Sequence, residues 1–294
     1  MQLAARLNSG PILVAPGVYD PLSALIAQQA GAEAVFVSGA MAAMAQQAMP
    51  DIGLMTATEL IDLVARIADR LDVPVLVDGD QGFGNAAHVQ RLVRGLCRAG
   101  AAAVQIEDQI AVKPADALTA RTLVPAAEMV GKINAAVDAR QSAQFLISAR
   151  TDTLWTRDIN EALDRAELYV AAGCDLLFVE SIRTREQAEA IVSRFGGRLP
   201  LVHNLLKSGG SPFADASAAA AAGFALALFP ATALGAAAHS LNAAYRAILA
   251  DGTDRSLEDR VTDVAGLNAI VGTSAIVDGI ARYGGTLDTG TGND

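Results

Sequence analysis

The feature that most constrains this chain is a junction that recurs along it. Segments with helical periodicity end in Ala-Gly, and an apolar run begins shortly after. The four cases are "AGAEAVFVSG" at Gly31, "AGAAAVQIED" at Gly100, "AGCDLLFVES" at Gly173 and "AGFALALFP" at Gly223. Glycine just past a helix takes the left-handed conformation that closes the last turn. The runs that follow, Val35–Val37, Ala103–Ile106, Leu176–Val179 and Ala225–Phe229, are apolar throughout. Such a run fits a parallel strand covered on both faces. Four more strands fit between these: Ile12–Ala15, Val75–Val77, Phe145–Ser148 and Leu199–Val202.

Amphipathic helices separate most of the strands. Over residues 125–139, Met129, Val130, Ile133 and Val137 share one face. Asp158 and Glu161 are spaced as a capping box before a helix that closes at Gly173. Eight alternating units predict an α/β fold, a (β/α)8 barrel over about residues 10–250, in preference to a doubly wound open sheet. Helical segments follow over residues 253–281. No linker divides the chain, which reads as one domain, 1–294, with a C-terminal helical extension from about residue 250.

Composition supports a large core. The 294 residues are 52% hydrophobic and 18% charged, which excludes a disordered chain. A net charge of −10 argues against nucleic acid as a partner. The N-terminus lacks the apolar core of a signal peptide, and no uninterrupted apolar run reaches the roughly 20 residues that span a bilayer. The expectation is a cytoplasmic protein with no membrane partner. Cys97 and Cys174 form no CxxC pair and read as small buried residues in a reducing compartment.

A parallel barrel carries its active site at the C-terminal ends of its strands. Those ends read Ser38 and Gly39, then Asp78 and Asp80, Glu107 and Asp108, Arg150, Glu180, and His203 with Asn204. Carboxylates gathered at one mouth repel each other unless a cation lies among them. Oxygen ligands suit Mg2+ or Mn2+, and the thiolates and clustered histidines that favour zinc are missing. Asp78 and Asp80 are therefore expected to hold magnesium, directly or through water. Gly79, Gly82 and Gly84 let the loop bend over it. Arg150 can clamp a substrate carboxylate in bidentate fashion. The backbone N–H groups of Ser38, Gly39 and Ala40 can meet the same anion. This set describes a small carboxylate whose 2-oxo or 2-hydroxy oxygen chelates the ion. Elsewhere, His88 and His239 read as uninvolved, and His203 is expected to face the helical layer while Asn204 faces the mouth. Trp155 either lines the pocket or packs beneath a loop.

The motifs "APGVYDPLSA" (15–24), "VSGA" (37–40), "PDIGLMT" (50–56), "DGDQGFGN" (78–85), "IEDQ" (106–109), "SARTD" (148–152), "FVES" (178–181), "HN" (203–204) and "LFP" (228–230) run in order over nearly the whole chain. Together they resemble the isocitrate lyase/phosphoenolpyruvate mutase superfamily, in particular its methylisocitrate lyase and dimethylmalate lyase branch. The resemblance implies a barrel that exchanges a C-terminal helix with a neighbour, usually within a homotetramer. It implies Mg2+ at Asp51, Asp78, Asp80 and Glu107, mostly through water except at Asp78. Arg150, Ser38, Gly39, Glu180 and Asn204 match substrate-contacting positions, and Tyr19 matches a tyrosine near the substrate.

One loop departs from the pattern. The lyases carry K-[KR]-C-G-H shortly after the "ED" motif, and its cysteine protonates the product. This chain reads "KPADALTAR" over residues 113–121. Lys113 matches the lysine, Ala115 stands where the cysteine would be, and alanine cannot transfer a proton. The reading that results is a Mg2+-dependent carbon–carbon lyase or decarboxylase. Its substrate is a small 2-oxo or 2-hydroxy di- or tricarboxylate, cleaved through a metal-stabilised enolate. The alternatives are phosphorus–carbon chemistry, with Lys113, Arg121 and Lys207 as phosphate contacts, and an inactive binding homologue.

Overall fold

The computed structural model describes residues 2–111, 121–206 and 210–284. They divide into two compact units, 1–237 and 238–294. In the first, eight strands form a closed barrel in which each strand is parallel to the next and the last pairs with the first. They are β1 Leu13–Val18, β2 Val35–Val37, β3 Val75–Asp78, β4 Ala103–Glu107, β5 Leu146–Thr151, β6 Leu176–Val179, β7 Leu201–Asn204 and β8 Leu226–Phe229. The fold is the (β/α)8 barrel expected from the alternation. Several strands run past their apolar stretch. The ladder carries Asp78, Glu107, Arg150 and Asn204 within β3, β4, β5 and β7, because backbone pairing continues where side chains turn polar.

Successive side chains of a strand face opposite ways. In β3, β4, β5 and β7 the inward series starts apolar and ends polar. Leu76 leads to Asp78, Ala103 to Glu107, Leu146 to Arg150, and Val202 to Asn204. The apolar members fill the interior with Leu13, Phe36, Phe178 and Leu228, together with Leu3 and Leu7 of the short N-terminal helix Leu3–Leu7. The outward series, including Val75, Val77, Val104, Ile106 and Ile147, packs on the helices.

Two local details differ from the sequence reading. The helix Ala126–Ala139 buries Met129 and Ile133 as expected, but it also buries Lys132. The Lys132 ammonium donates to the Gln81 carbonyl at 3.1 Å and lies 3.4 Å from Glu128. It ties the loop after β3 to the helix layer. Asp158 caps the helix Ile159–Ala171, but Glu161 does not close the box. It accepts instead from Arg157 and Arg165.

In the second unit, the stretch Arg255–Arg282 is long and apolar enough by composition to cross a bilayer. Its backbone is broken into Arg255–Arg260, Val264–Ile270 and Thr273–Arg282, with Gly272 in the left-handed region at φ +73°. The longest piece has 10 residues, about 15 Å at helical rise, half a bilayer core.

His203 faces the helical layer, as its alternation with Asn204 predicts. It is 3% exposed. Its ring lies 5.1 Å from Phe213 and 5.0 Å from Phe224, and Nε2 is 2.7 Å from the Ser211 hydroxyl. Burial pulls its pKa down to about 4. The unfolded chain therefore takes up a proton near pH 6.5 that the folded chain refuses. Stability is full above that pH and is lost as pH falls towards 4, by about 3 kcal/mol at the lower end. The variant His203→Gln should flatten the decline in denaturant midpoint between pH 7 and 5. Parallel pH profiles for the two proteins would refute this assignment.

Candidate active site

The polar ends of the inward series meet in a cavity of about 170 Å3. Asp51, Asp78, Asp80, Glu107 and Glu180 line it, with Ser38, Ala40, Arg121, Arg150 and Asn204. The structure thus brings together most of the residues expected at the mouth. Gly39 does not line the cavity itself. Its N–H donates to Asp78 Oδ2 at 3.3 Å, which sets the start of the helix Gly39–Gln47 against the acidic pair.

The loop after β3 has a shape that few residues permit. A Cβ at Gly79 would lie 2.7 Å from Val104 Cγ2 and 2.9 Å from the Gln105 carbonyl, so only glycine lets this turn pass β4. Asp80 follows with φ +46°, in the left-handed region that aspartate enters more readily than most residues. Its N–H donates to Asp78 Oδ1 at 3.3 Å, and its carbonyl accepts from Glu107 N–H at 2.9 Å. These bonds bring Asp78, Asp80 and Glu107 to one side of the mouth.

Arg150 is held differently from the expectation. Its Nε and Nη2 donate to the two oxygens of Asp152 at 2.9 and 2.8 Å. That edge of the fork is therefore occupied, and a substrate carboxylate can meet only the end-on edge formed by Nη1 and Nη2. Nη1 also lies 3.3 Å from Glu107 Oε2. Asp152 is fully buried, and Asp108 holds its backbone N–H at 2.9 Å. Asp108 was a mouth candidate by position, but it faces outward. It accepts from the Thr151 and Tyr169 hydroxyls at 2.7 and 2.8 Å and pairs with Arg165 at 3.5 Å. Burial is the main cause raising its carboxyl, with these hydrogen bonds opposing.

Sequence reasoning missed Asp152 as a partner of Arg150 and gave Arg121 only a phosphate role. The signal for Asp152 was its i+2 spacing from Arg150, which places both on the same side of an extended chain. Arg121 Nη1 donates to Gln109 Oε1 at 2.8 Å, and Gln109 Nε2 donates to Glu107 Oε1 at 2.8 Å. A guanidinium is thereby linked to the acidic cluster through one amide.

The other candidates fall elsewhere. Tyr19 follows β1 half-buried, with its backbone bound to Ser23 and Gln46, and it is not among the residues lining the cavity. Lys113, Ala115 and Lys207 lie outside the described residues. Cys97 and Cys174 line separate cavities beside Ala101 and Leu199, next to the residues that open β4 and β7 and so at the pole opposite the mouth. Burial pushes the Cys174 thiol up to about 12, which leaves it unreactive.

Glu107 reports the electrostatic state of the mouth. Burial raises its carboxyl well above the ordinary range, and Asp152, Asp78 and Asp80 raise it further against the opposing pull of Arg150. Glu180 is raised by burial, with Arg150, Arg121 and the Asn204 hydrogen bond opposing. A donor set of buried oxygens with unbalanced negative charge fits a hard divalent cation. Among the described residues, no group of three or more His, Cys, Asp or Glu side chains is arranged to hold an ion alone. The fit is to an ion that keeps several waters between itself and the carboxylates.

Comparison with known proteins agrees with this architecture. The chain is 41% identical over 259 residues to 2-methylisocitrate lyase of Aeropyrum pernix, covering 88% of this chain and 82% of that protein. It is 33% identical over 270 residues to 2,3-dimethylmalate lyase of Eubacterium barkeri, covering 92% and 93%. Among solved structures it resembles phosphonopyruvate hydrolase complexed with oxalate and Mg2+, with a TM-score of 0.86, 29% identity and coverage of 96% and 98%. Residues 3–286 match the phosphoenolpyruvate phosphomutase family. With so little of the chain left outside the match, the protein belongs to that family, within the isocitrate lyase/phosphoenolpyruvate mutase superfamily.

Proposed function

We propose that this protein is a Mg2+-dependent carbon–carbon lyase acting on a small 2-oxo or 2-hydroxy di- or tricarboxylate. The observation that carries this reading is the mouth itself, where an acidic cluster stands beside Arg150 and the end-on edge of its guanidinium is held only by the 3.3 Å contact of Nη1 with Glu107. Similarity to lyases of substituted malate and methylisocitrate supports it, and the relative complexed with oxalate and Mg2+ supports the choice of ion.

Asp78, Asp80, Glu107 and Asp51 would hold the ion, in part through water. When bound, it supplies positive charge beside the oxygen that becomes negative as the carbon–carbon bond breaks. Arg150 orients the substrate carboxylate through its end-on edge, and Ser38 and Ala40, which line the same cavity, face the same anion. Asp152 fixes the guanidinium plane. Glu180 and Asn204 close the opposite wall, joined by a 3.0 Å hydrogen bond. Tyr19 and Lys113 remain proposals from family resemblance, to be tested by substitution.

A homotetramer with exchanged C-terminal helices belongs to the same proposal. The helix Thr232–Asp251 buries no residue along its length, and Tyr245 and Leu249 are 60% and 85% exposed. Val14 on β1 and Ile26 on the helix Pro21–Gln29 are separately bare, at 39% and 46% exposure. Apolar surfaces of this kind mark contact with another chain, here a second copy. Light scattering should give four chains for the wild type, and Leu249→Glu should shift the mass towards smaller species. A monomeric wild type would remove the proposal.

Two substitutions test the chemistry. Asp78→Asn should cost on the order of 100-fold in kcat and abolish dependence on Mg2+, with folding retained because the residue lies at the mouth. Near-wild-type turnover of methylisocitrate and substituted malates by this variant would defeat the metal reading. Arg150→Lys keeps the charge but loses both the Asp152 fork and the end-on edge. A loss of about 2 kcal/mol or more in kcat/KM is expected. An unchanged kcat/KM on every carboxylate tried would show that Arg150 serves structure alone.

A further inference from the structure

A second cavity, of about 380 Å3, adjoins the mouth. The two share Phe178, Glu180, Asn204 and Leu206 as a common wall. Beyond that wall the chemistry changes. The mouth is acidic, whereas the far side of the second cavity is formed by Trp155 and Arg183. The Arg183 guanidinium lies 5.3 Å from the Trp155 ring centroid, and the Arg121 guanidinium lies 5.1 Å from the same ring. One indole is thus touched by two cations, one belonging to each cavity.

Two like charges gathered at one ring repel each other, and the ring offsets part of that cost by cation–π attraction. An anion between them would offset more. Among the described residues no carboxylate pairs with the Arg183 guanidinium. Arg121 Nε is buried and has no hydrogen-bond acceptor there, its nearest carboxylate being Asp152 at 3.9 Å. In the shared wall, Asn204 gives its amide N–H to Glu180 and keeps a buried Oδ1 with no partner among the described residues. Ser181 turns the chain just after β6 through a left-handed backbone at φ +66°. A non-glycine residue in that conformation carries strain and often marks a functional turn, and Arg183 follows two residues later.

We propose that this second cavity binds the far carboxylate of the substrate, with Trp155 and Arg183 as its specificity-determining residues and Arg121 bridging to the mouth. The first carboxylate and its oxo or hydroxy oxygen stay at Arg150, and in that respect the inference rests on the lyase reading. The far carboxylate cannot lie against Asp51, Asp78 and Asp80. It passes Asn204, whose free oxygen accepts from a substrate hydroxyl, and reaches the arginines. The apolar side chains of Phe178, Ile182 and Leu206 cover the carbons between. The ligand class is therefore a branched or extended polycarboxylate, in preference to a short oxo acid such as oxaloacetate.

Isothermal titration of the full chain with Mg2+ tests this with two probes. Oxalate has no carboxylate beyond the pair that the mouth takes, and tricarballylate offers a further carboxylate to the second cavity. For Arg183→Gln the Kd of tricarballylate should rise about fivefold or more, and for Trp155→Leu about tenfold, while that of oxalate moves less than about twofold. Arg183 is exposed, so its variant should fold even if the Trp155 variant does not. Equal weakening of both probes in Arg183→Gln, no weakening of tricarballylate, or failure of the wild type to bind tricarballylate would each overturn the second site. Failure of oxalate to bind the wild type with Mg2+ would overturn the lyase reading instead, and the tricarballylate comparison would still decide the second site.

Discussion

The constraint on which this structure depends is the two-residue alternation of eight parallel strands. In a closed barrel one set of side chains must fill the interior and the other must pack on helices. In β3, β4, β5 and β7 the inward series is apolar at its start and polar at its C-terminal end. The same geometry that fills the core therefore delivers Asp78, Glu107, Arg150 and Asn204 to one opening. A slip of one residue would exchange the two sets. Glu107 and Asp108 show the consequence within a single dipeptide. Glu107 enters the mouth, and Asp108 turns outward into a buried network with Tyr169 and Arg165.

That outward network is not separate from the site. Asp108 holds the Asp152 backbone, and Asp152 holds Arg150 by two bonds. A buried ion pair of this kind adds little net stability, because desolvating both charges offsets their attraction. Its effect is to fix the plane of the guanidinium and decide which edge faces the cavity. The acidic cluster opposite contributes the other half of the electrostatics. Glu107 is raised by burial and by its acidic neighbours, so the mouth as built is short of positive charge. A divalent cation and the arginine together would restore the balance while leaving room for an anion.

The loop that carries the acid of the cysteine-dependent lyases has no cysteine here, and neither cysteine of the chain lies near the mouth. Belonging to the family thus carries over the barrel, while the loop position of that proton donor holds Ala115. The position of Arg121 points the same way. It stands at the end of that loop and reaches back through Gln109 to Glu107.

The barrel was legible in the sequence because its signals are local. Ala-Gly stops, apolar runs and amphipathic helices each need only a few neighbouring residues to be recognised, and eight of them in alternation leave few architectures. The mouth was legible for a related reason, since strand ends fall where apolar runs stop. Facing was harder to read. Asp108, Lys132 and Asp152 all look like solvent-facing polar residues in sequence, yet all are buried. Their partners, Tyr169, Gln81 and Arg150, are fixed by strand register and helix packing, and two of the three lie far away in the chain. The sequence by itself determined the elements, their order and the residue types at the opening. Only the tertiary structure decided which edge of Arg150 is taken by Asp152 and that Arg121 and Arg183 both lie against Trp155, because those contacts depend on side-chain placement that no local pattern encodes.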